Sequence, residues 1–335
     1  MSGSREWHLV ERPHGEPADA DFELAEVDVP EPADGEVVIR NAFLSVDPYM
    51  RGRMNDTRSY VASYQLGQPM SGGAIGQVEA SRNERFAEGD WVVHMLGWRE
   101  RAVSDGRGLL PVDPKRAPLE AYLGALGMPG LTAYVGVDDI AAVREGDVVY
   151  VSAAAGAVGS AAAQMARIHG ARVLGSAGSA EKVAWLEDLG LDGVFDYKLQ
   201  PVREALRELA PDGIDVYFDN VGGDHLEAAI SALREHGRIA ACGSISRYND
   251  TAPSPGPRNL FMVVTKRLRM QGFIIFDHLD RQAAFHEEAA GWVADGRLRW
   301  RETVVEGIER MPEAFRGLLR GDNVGKMLVR VGADA

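Results

Sequence analysis

Ala154, Gly156 and Gly159 fall at the spacing of the Gly-x-Gly-x-x-Gly fingerprint, with alanine in its first slot. They follow the apolar run Val149-Tyr150-Val151 and precede the helix-forming stretch Ala161-Ala162-Ala163-Gln164-Met165-Ala166. A strand, a tight turn and a helix start are expected. In such a turn Gly156, Ala157, Val158 and Gly159 bring backbone N–H groups against a pyrophosphate, and the helix dipole favours its negative charge. The same short pattern also fits an ordinary strand-to-helix turn. Folds that select NAD place a carboxylate about 20 positions beyond the fingerprint, on the ribose 2′-hydroxyl. Here that place reads Leu174-Gly175-Ser176-Ala177-Gly178-Ser179, without an acid. Ser179 is expected to cap the next helix, with Lys182 on its first turn, where an anion also meets the helix dipole. Tyr197, just past the next expected strand, offers a hydroxyl to the same anion. A 2′-phosphate fits there, so NADPH is favoured over NADH. For Lys182 alone, a solvated helix lysine is the other reading.

Other chemistries find less support. The eight histidines are scattered, with no His-x-x-x-His or Cys-x-x-Cys pair, so no metal site is expected. His94 and His225 read as structural or surface histidines. No Gly-x-Ser-x-Gly elbow occurs, which removes the commonest serine hydrolase signature. Asp219-Asn220-Val221-Gly222-Gly223 and Cys242-Gly243-Ser244-Ile245-Ser246 each follow an expected parallel strand, at the edge where such sheets bind ligands. A plain glycine-rich turn is the alternative for the first. Cys242 reads as a small packing residue, since no histidine base is near it in sequence.

These groups need a doubly wound sheet to hold them. From Asp147 strands alternate with helices. Strands are expected at 149–151, 171–174, 194–196, 214–219, 238–241 and 269–275. Helices are expected from the fingerprint to His169, from Ser179 to Leu189, from Pro201, from His225 to Glu235, and from Arg281 to Ala294. Upstream the texture is β-rich, with Glu36-Val37-Val38-Ile39-Arg40 and Asp90-Trp91-Val92-Val93-His94 set between Gly, Pro and Asp. That spacing predicts a small barrel or folded sheet. Leu119–Gly136 reads as an apolar helix broken at Met128-Pro129-Gly130, near the domain junction. The tail reads strand (302–308), helix (312–320), strand (326–331), and is expected to return to the first domain. The expected division is 1–126, 127–298 and 299–335.

Length and composition agree with an ordinary globular protein. A chain of 335 residues should bury about 75% of its unfolded surface. Lysine and arginine number 36 against 50 acids, a net charge of −14, which disfavours nucleic acid and anionic membranes as partners. The single cysteine excludes an intrachain disulfide. Met1–Gly15 has no apolar leader and no 18-residue apolar run exists, so neither a signal peptide nor a membrane span is expected, and the default location is cytoplasmic.

Several fragments together resemble one family. They are Leu44-Ser45-Val46-Asp47-Pro48-Tyr49-Met50-Arg51-Gly52-Arg53-Met54, Gly127-Met128-Pro129-Gly130-Leu131-Thr132-Ala133-Tyr134, Ala153–Ser160, Phe218–Gly223, Cys242–Asn249, Lys266–Phe273 and Asn323-Val324-Gly325-Lys326. The chain resembles the zinc-independent medium-chain dehydrogenase/reductases of the prostaglandin reductase, 2-alkenal reductase and bacterial curcumin reductase group, over nearly its whole length. The resemblance implies an α/β protein: a GroES-like β-barrel catalytic domain plus a Rossmann doubly wound parallel sheet, with the active site in the cleft between them. It implies NADPH-dependent reduction of a carbon–carbon double bond conjugated to a carbonyl, in a homodimer. Zinc-dependent relatives carry Gly-His-Glu where this chain reads Met70-Ser71-Gly72-Gly73-Ala74-Ile75-Gly76, without a ligand.

By the same resemblance, Tyr248 stabilises the enolate with its hydroxyl; lining the pocket, with water as proton source, is its other reading. Asn220, Cys242, Gly243, Ser244, Ile245, Ser246, Phe273, Ile274, Ile275 and Asn323 line the cofactor. Tyr49 borders the substrate pocket. Two departures stand out. The family's Pro pair after Tyr-Val is absent from Tyr60-Val61-Ala62-Ser63-Tyr64, which puts a pocket wall and the substrate range in doubt. Its Gly-Trp-Gln-Glu reads Gly97-Trp98-Arg99-Glu100, followed by Arg101; both arginines are expected at the surface, a preference for acidic substrates being their other reading. A quinone reductase and a non-catalytic NADPH-binding protein are the alternative functions.

Overall fold

The computed structural model describes residues 3–332. The chain divides into two compact units, Met1–Leu123 with Glu302–Ala335, and Gly124–Arg301. The division lies a few residues from 126/127 and 298/299, for local reasons. Leu119 and Leu123 pack with Phe43, Ile75 and Leu328 of the first unit. At the other end, the Arg299 N–H donates to Gln164 Oε1 within the second unit, 2.8 Å.

The first unit is a mixed sheet folded about a long central strand, Val37–Ser45, eight of whose nine residues are buried. That strand pairs antiparallel with Ala74–Ser81 on one side and with Arg101–Ser104 and Lys326–Arg330 on the other. Glu302–Glu306 then pairs parallel with Lys326–Arg330, and Trp91–His94 pairs antiparallel with Ala74–Ser81. The central strand outruns the expected 36–40 because its polar residue Asn41 finds buried partners and need not end it. The core behind it centres on Trp98, stacked on Phe22 and edge-on to Phe315.

The second unit carries six parallel strands, here β1 (Val148–Val151), β2 (Arg172–Ala177), β3 (Gly193–Asp196), β4 (Ile214–Asp219), β5 (Leu233–Ala241) and β6 (Arg269–Gly272). Their spatial order is β3-β2-β1-β4-β5-β6. This is the doubly wound order that reverses between β1 and β4 and binds ligands at the carboxyl ends there. Four helices alternate with them: α1 (Ala157–Ile168), α2 (Ala180–Asp188), α3 (Val202–Leu209) and α4 (Gly223–Ala232). The two central strands, β1 and β4, are almost wholly buried, as strands covered on both faces must be.

Four elements differ from the sequence reading. Helix α4 ends at Ala232, not Glu235, because Leu233 is buried in β5 opposite Ile214. His236, at φ +63°, then absorbs the register shift before Arg238 pairs with Val216. Strand β6 stops at Gly272, and Phe273–Ile275 turn into a 3-10 segment whose first residue, Ile275, is buried. Met128-Pro129-Gly130 starts a helix, Met128–Val135, instead of breaking one. Proline in a first turn loses no hydrogen bond. Pro201 caps α3 from outside, at ψ 133°. Among the described residues, no helix is long and apolar enough to cross a membrane.

Candidate active site

The turn between β1 and α1 depends on residues without bulk. Ala153 adopts φ +48°, and its carbonyl accepts the Gly156 N–H at 3.0 Å. A Cβ on Gly159 would sit 2.3 Å from that carbonyl oxygen, so only glycine lets the helix start this close to the strand. A Cβ on Gly156 would meet nothing within 4 Å except the same oxygen, at 3.3 Å. Gly156 is the residue before the helix, and Ala157 and Val158 begin it. The first N–H groups of a helix have no acceptor within it. The turn therefore leaves open backbone beside a helix N-terminus, whose polarity favours an anion.

The structure brings the three expected phosphate contacts to the ends of β2 and β3. Ser179 caps α2, its Oγ accepting the Lys182 N–H at 3.4 Å. Tyr197 is tied to β2 by its own N–H, donated to the Ala177 carbonyl at 3.0 Å. A Cβ on Gly178 would lie 2.8 Å from the Tyr197 hydroxyl oxygen, so the absent side chain is what lets that hydroxyl reach the backbone beside Ser179. Tyr197 is 39% exposed and stands edge-on to His225, centroids 5.1 Å apart. His225 is buried, with its Nδ1 2.8 Å from the Tyr150 hydroxyl, which is also 2.8 Å from Ser176 Oγ. Burial pushes the His225 imidazole down to about 4, so it is neutral near pH 7.

The other end of the edge holds Asn220 and the Cys242–Tyr248 loop. The Asn220 amide donates to the Ser152 carbonyl at 2.8 Å, and its N–H to Ser152 Oγ at 3.0 Å. The N–H groups of Cys242 and Gly243 both donate to the Asp219 carbonyl at 2.9 Å, and Ile245 N–H to the Asn220 carbonyl at 3.2 Å. The chain then makes one 3-10 turn, Ile245–Arg247, and Tyr248 folds its ring back over the loop. Its hydroxyl accepts the Ser244 N–H at 3.4 Å. Burial holds its pKa above the usual phenol value, so it keeps its proton at neutral pH. The Cys242 thiol is pushed up to about 12 by burial and then by Asp219, which makes it a packing group and no nucleophile near neutrality. Phe273 closes against Gly136, where a Cβ would be 3.0 Å from its ring; Ile274 is half-buried and Ile275 buried.

Tyr49 and Asn323 belong to the first unit. Tyr49 opens a short helix, Tyr49–Arg53, and its hydroxyl is buried without a hydrogen-bond partner among the described residues. Behind it, Asp47 pairs with buried Lys326 at 3.2 Å, and Lys326 also donates to the carbonyls of Val46 and Met327. Asn323 is buried and donates its amide to the Gly325 carbonyl at 2.6 Å. Arg99 is not at the surface: its side chain is 16% exposed and donates to the Met70 and Gly97 carbonyls. Arg101 is likewise mostly covered, in a two-point pair with Glu79. His94 is structural, as its Nδ1 accepts the Leu96 N–H and its Nε2 therefore donates to Asn41. Among the described residues, no three His, Cys, Asp or Glu side chains converge to hold a metal ion.

Ser152, Tyr150, Ser176, Tyr217 and the carboxylate of Asp219 were not singled out by the sequence reading. A signal exists. Tyr150-x-Ser152 and Tyr217-x-Asp219 place tyrosine and a polar residue on the same face of two adjacent strands, in register.

Fold and site together define a dinucleotide-binding protein with a second, barrel-like unit. Two family models match, the N-terminal domain of oxidoreductase over residues 5–112 and zinc-binding dehydrogenase over residues 157–294. Prostaglandin reductase 1 of Rattus norvegicus is 44% identical, the match covering 98% of this chain and 100% of that protein. NADPH-dependent curcumin reductase of Escherichia coli is 41% identical, over 99% and 98%. The crystal structure of CurA from Vibrio vulnificus in complex with NADPH superposes with a TM-score of 0.93 at 42% identity, over 98% and 99%. The chain belongs to the zinc-independent medium-chain dehydrogenase/reductase family, in the group that holds the prostaglandin, curcumin and 2-alkenal reductases.

Proposed function

We propose that this protein is an NADPH-dependent ene reductase that saturates the carbon–carbon double bond of α,β-unsaturated ketones and aldehydes. The observation that carries the reading is the Tyr248 hydroxyl. It accepts an N–H from Ser244, keeps its own proton, and stands at the ligand-binding edge of the sheet. The names of the relatives support the substrate class.

Bound NADPH supplies a hydride to the β-carbon of the substrate. The chain's own residues bind it and manage the charge. Gly156, Ala157, Val158 and Gly159 would cradle the pyrophosphate; Ser179, Lys182 and Tyr197 would hold the 2′-phosphate. Asn220, the Cys242–Ser246 backbone, Phe273–Ile275 and Asn323 would line the rest. As negative charge builds on the substrate carbonyl oxygen, the Tyr248 hydroxyl donates to it, and a preorganised donor there lowers the barrier. The Ser244 N–H strengthens that donation by polarising the phenol oxygen. Tyr49 would border the substrate, where a ligand acceptor relieves its unpartnered hydroxyl, which otherwise costs about 1–3 kcal/mol.

The reading extends to a homodimer in the cytoplasm. Strand β6 is the sheet edge, all four of its residues are exposed, and Leu260, Phe261, Val264, Met270, Phe276 and Leu279 expose apolar side chains around it. A lone thiol and a reduced coenzyme suit a reducing compartment.

One assay tests the function. Purified protein is given a medium-chain enone with NADPH or NADH, and the product is identified by mass and NMR. The saturated ketone is expected, with NADPH the better coenzyme and Tyr248→Phe about tenfold or more slower. An allylic alcohol as product, or no turnover across enones and enals, overturns the reading.

A further inference from the structure

Beneath the two loops of the site lies a buried carboxylate that the reaction itself does not use. Asp219 is 2% exposed. One of its oxygens, Oδ1, accepts three donors: the Tyr217 hydroxyl at 2.7 Å, the Gly222 N–H at 2.7 Å and the Val221 N–H at 3.0 Å. The Tyr217 hydroxyl also lies 3.0 Å from Ser152 Oγ. Its single proton goes to the carboxylate, the stronger acceptor, which leaves the phenol oxygen to face Ser152. Ser152 Oγ in turn accepts the Asn220 N–H. The Tyr217 ring is fixed by stacking on Tyr150, centroids 5.0 Å apart.

Both loops that carry the site hang on this cluster. The Asp219 carboxylate folds the β4–α4 turn through Val221 and Gly222. The Asp219 carbonyl anchors Cys242 and Gly243 at the start of the Tyr248 loop. The turn then grips that loop again: the Val221 carbonyl accepts the Ser246 N–H at 3.2 Å and the Ser246 hydroxyl at 2.6 Å. Gly222, at φ +70°, lies so close under Ser244 that a Cβ would be 2.3 Å from its Oγ. A shift of the Asp219 turn is therefore passed to Ser244, whose N–H holds the Tyr248 hydroxyl.

We propose that Asp219, Tyr217 and Ser152 are positioning residues, which fix the loop that holds the Tyr248 hydroxyl on the Ser244 N–H, without touching cofactor or substrate. The proposal rests on the role given to Tyr248 above. The cost of burying a carboxylate is partly offset by ordered donors, and the return is a fixed geometry at the reacting end of the site.

The informative variant is Tyr217→Phe, which keeps the stacked ring and removes only the hydroxyl. Its kcat is expected to fall about tenfold at saturating NADPH, while the KM for NADPH stays within about twofold. Asp219→Asn should behave likewise, and the double variant should be little worse than either single one, since all three changes break one device. A uniform rise in KM, additive losses, or an unchanged kcat overturns the proposal. Hydrogen exchange supplies a second reading that needs no turnover. In Tyr217→Phe the amides of Cys242, Gly243 and Ile245 should exchange at least tenfold faster, with β2 unchanged; equal protection overturns the proposal even if the wild-type enzyme reduces no enone. Should wild type show no turnover while the exchange result holds, the ene-reductase reading fails and the positioning device stands.

Discussion

His225, buried and neutral near pH 7, ties the stability of the second unit to pH. It stands edge-on beneath Tyr197 and meets the Tyr150 hydroxyl through Nδ1. Burial pushes it down to about 4, against a weaker upward pull from Asp224. His94 is pushed down to about 3 by burial and then by Arg99. In the unfolded chain both return to the ordinary value near 6.5. The unfolded state therefore binds more protons between those values, and stability is lost as pH falls. The His225 part is complete near pH 4 and amounts to about 3 kcal/mol. Urea unfolding at about pH 7 and about pH 4.5 checks this: wild type should lose stability at the lower pH, and His225→Gln should lose less between the two. An equal loss in the variant would mean that other groups carry the acid sensitivity.

At the scale of elements, the turn from β1 into α1 is the tightest joint in the second unit. Gly159→Ala would put a methyl 2.3 Å from a backbone oxygen that has no side chain to swing away. The helix must move back from the strand, at about 1–3 kcal/mol of overpacking, and the cradle at Gly156 moves with it. Urea unfolding should show that loss, and fluorescence titration should show weaker NADPH binding; unchanged affinity would place the pyrophosphate elsewhere. This joint was legible in the sequence because glycine spacing encodes close approach. Ala153 was not, since nothing in an alanine announces φ +48°. The cap at Ser179 and the missing acid before it were legible for the same reason as the glycines: each residue type has one physical use there. Tyr150 and Tyr217 were read simply as strand residues, although their hydroxyls organise the edge of the sheet. Apolar rings hide polar tips from a hydropathy pattern. Arg99 was placed at the surface, yet its side chain is mostly covered and reaches the Met70 carbonyl of a separate segment as well as that of neighbouring Gly97. Contacts between such segments are what a single sequence expresses least.

For the whole molecule, the open question of physics is the sheet edge. The end strand of a parallel sheet normally carries charges, a bulge or a cover that prevents pairing with another chain. Strand β6 has Arg269 as its one charged residue, all four of its residues are exposed, and within the chain it pairs with β5 alone. Phe261, at 73%, and Val264, at 67%, are among the most exposed apolar side chains of the described residues. Net charge of −14 keeps copies apart in general, so association needs a patch where apolar burial outweighs that repulsion. In the proposed homodimer the β6 edge would be that patch, with one strand facing its own copy across a twofold axis so that the contact closes on itself. Light scattering on the eluting protein should give twice the chain mass. Met270→Glu places two like charges near that axis and should shift the mass to one chain at low concentration, with NADPH binding retained because the exposed Met270 side chain precedes the Phe273–Ile275 segment assigned to the cofactor. A wild-type protein that elutes at one chain mass, or a Met270→Glu variant that stays at two, would remove this edge as the contact.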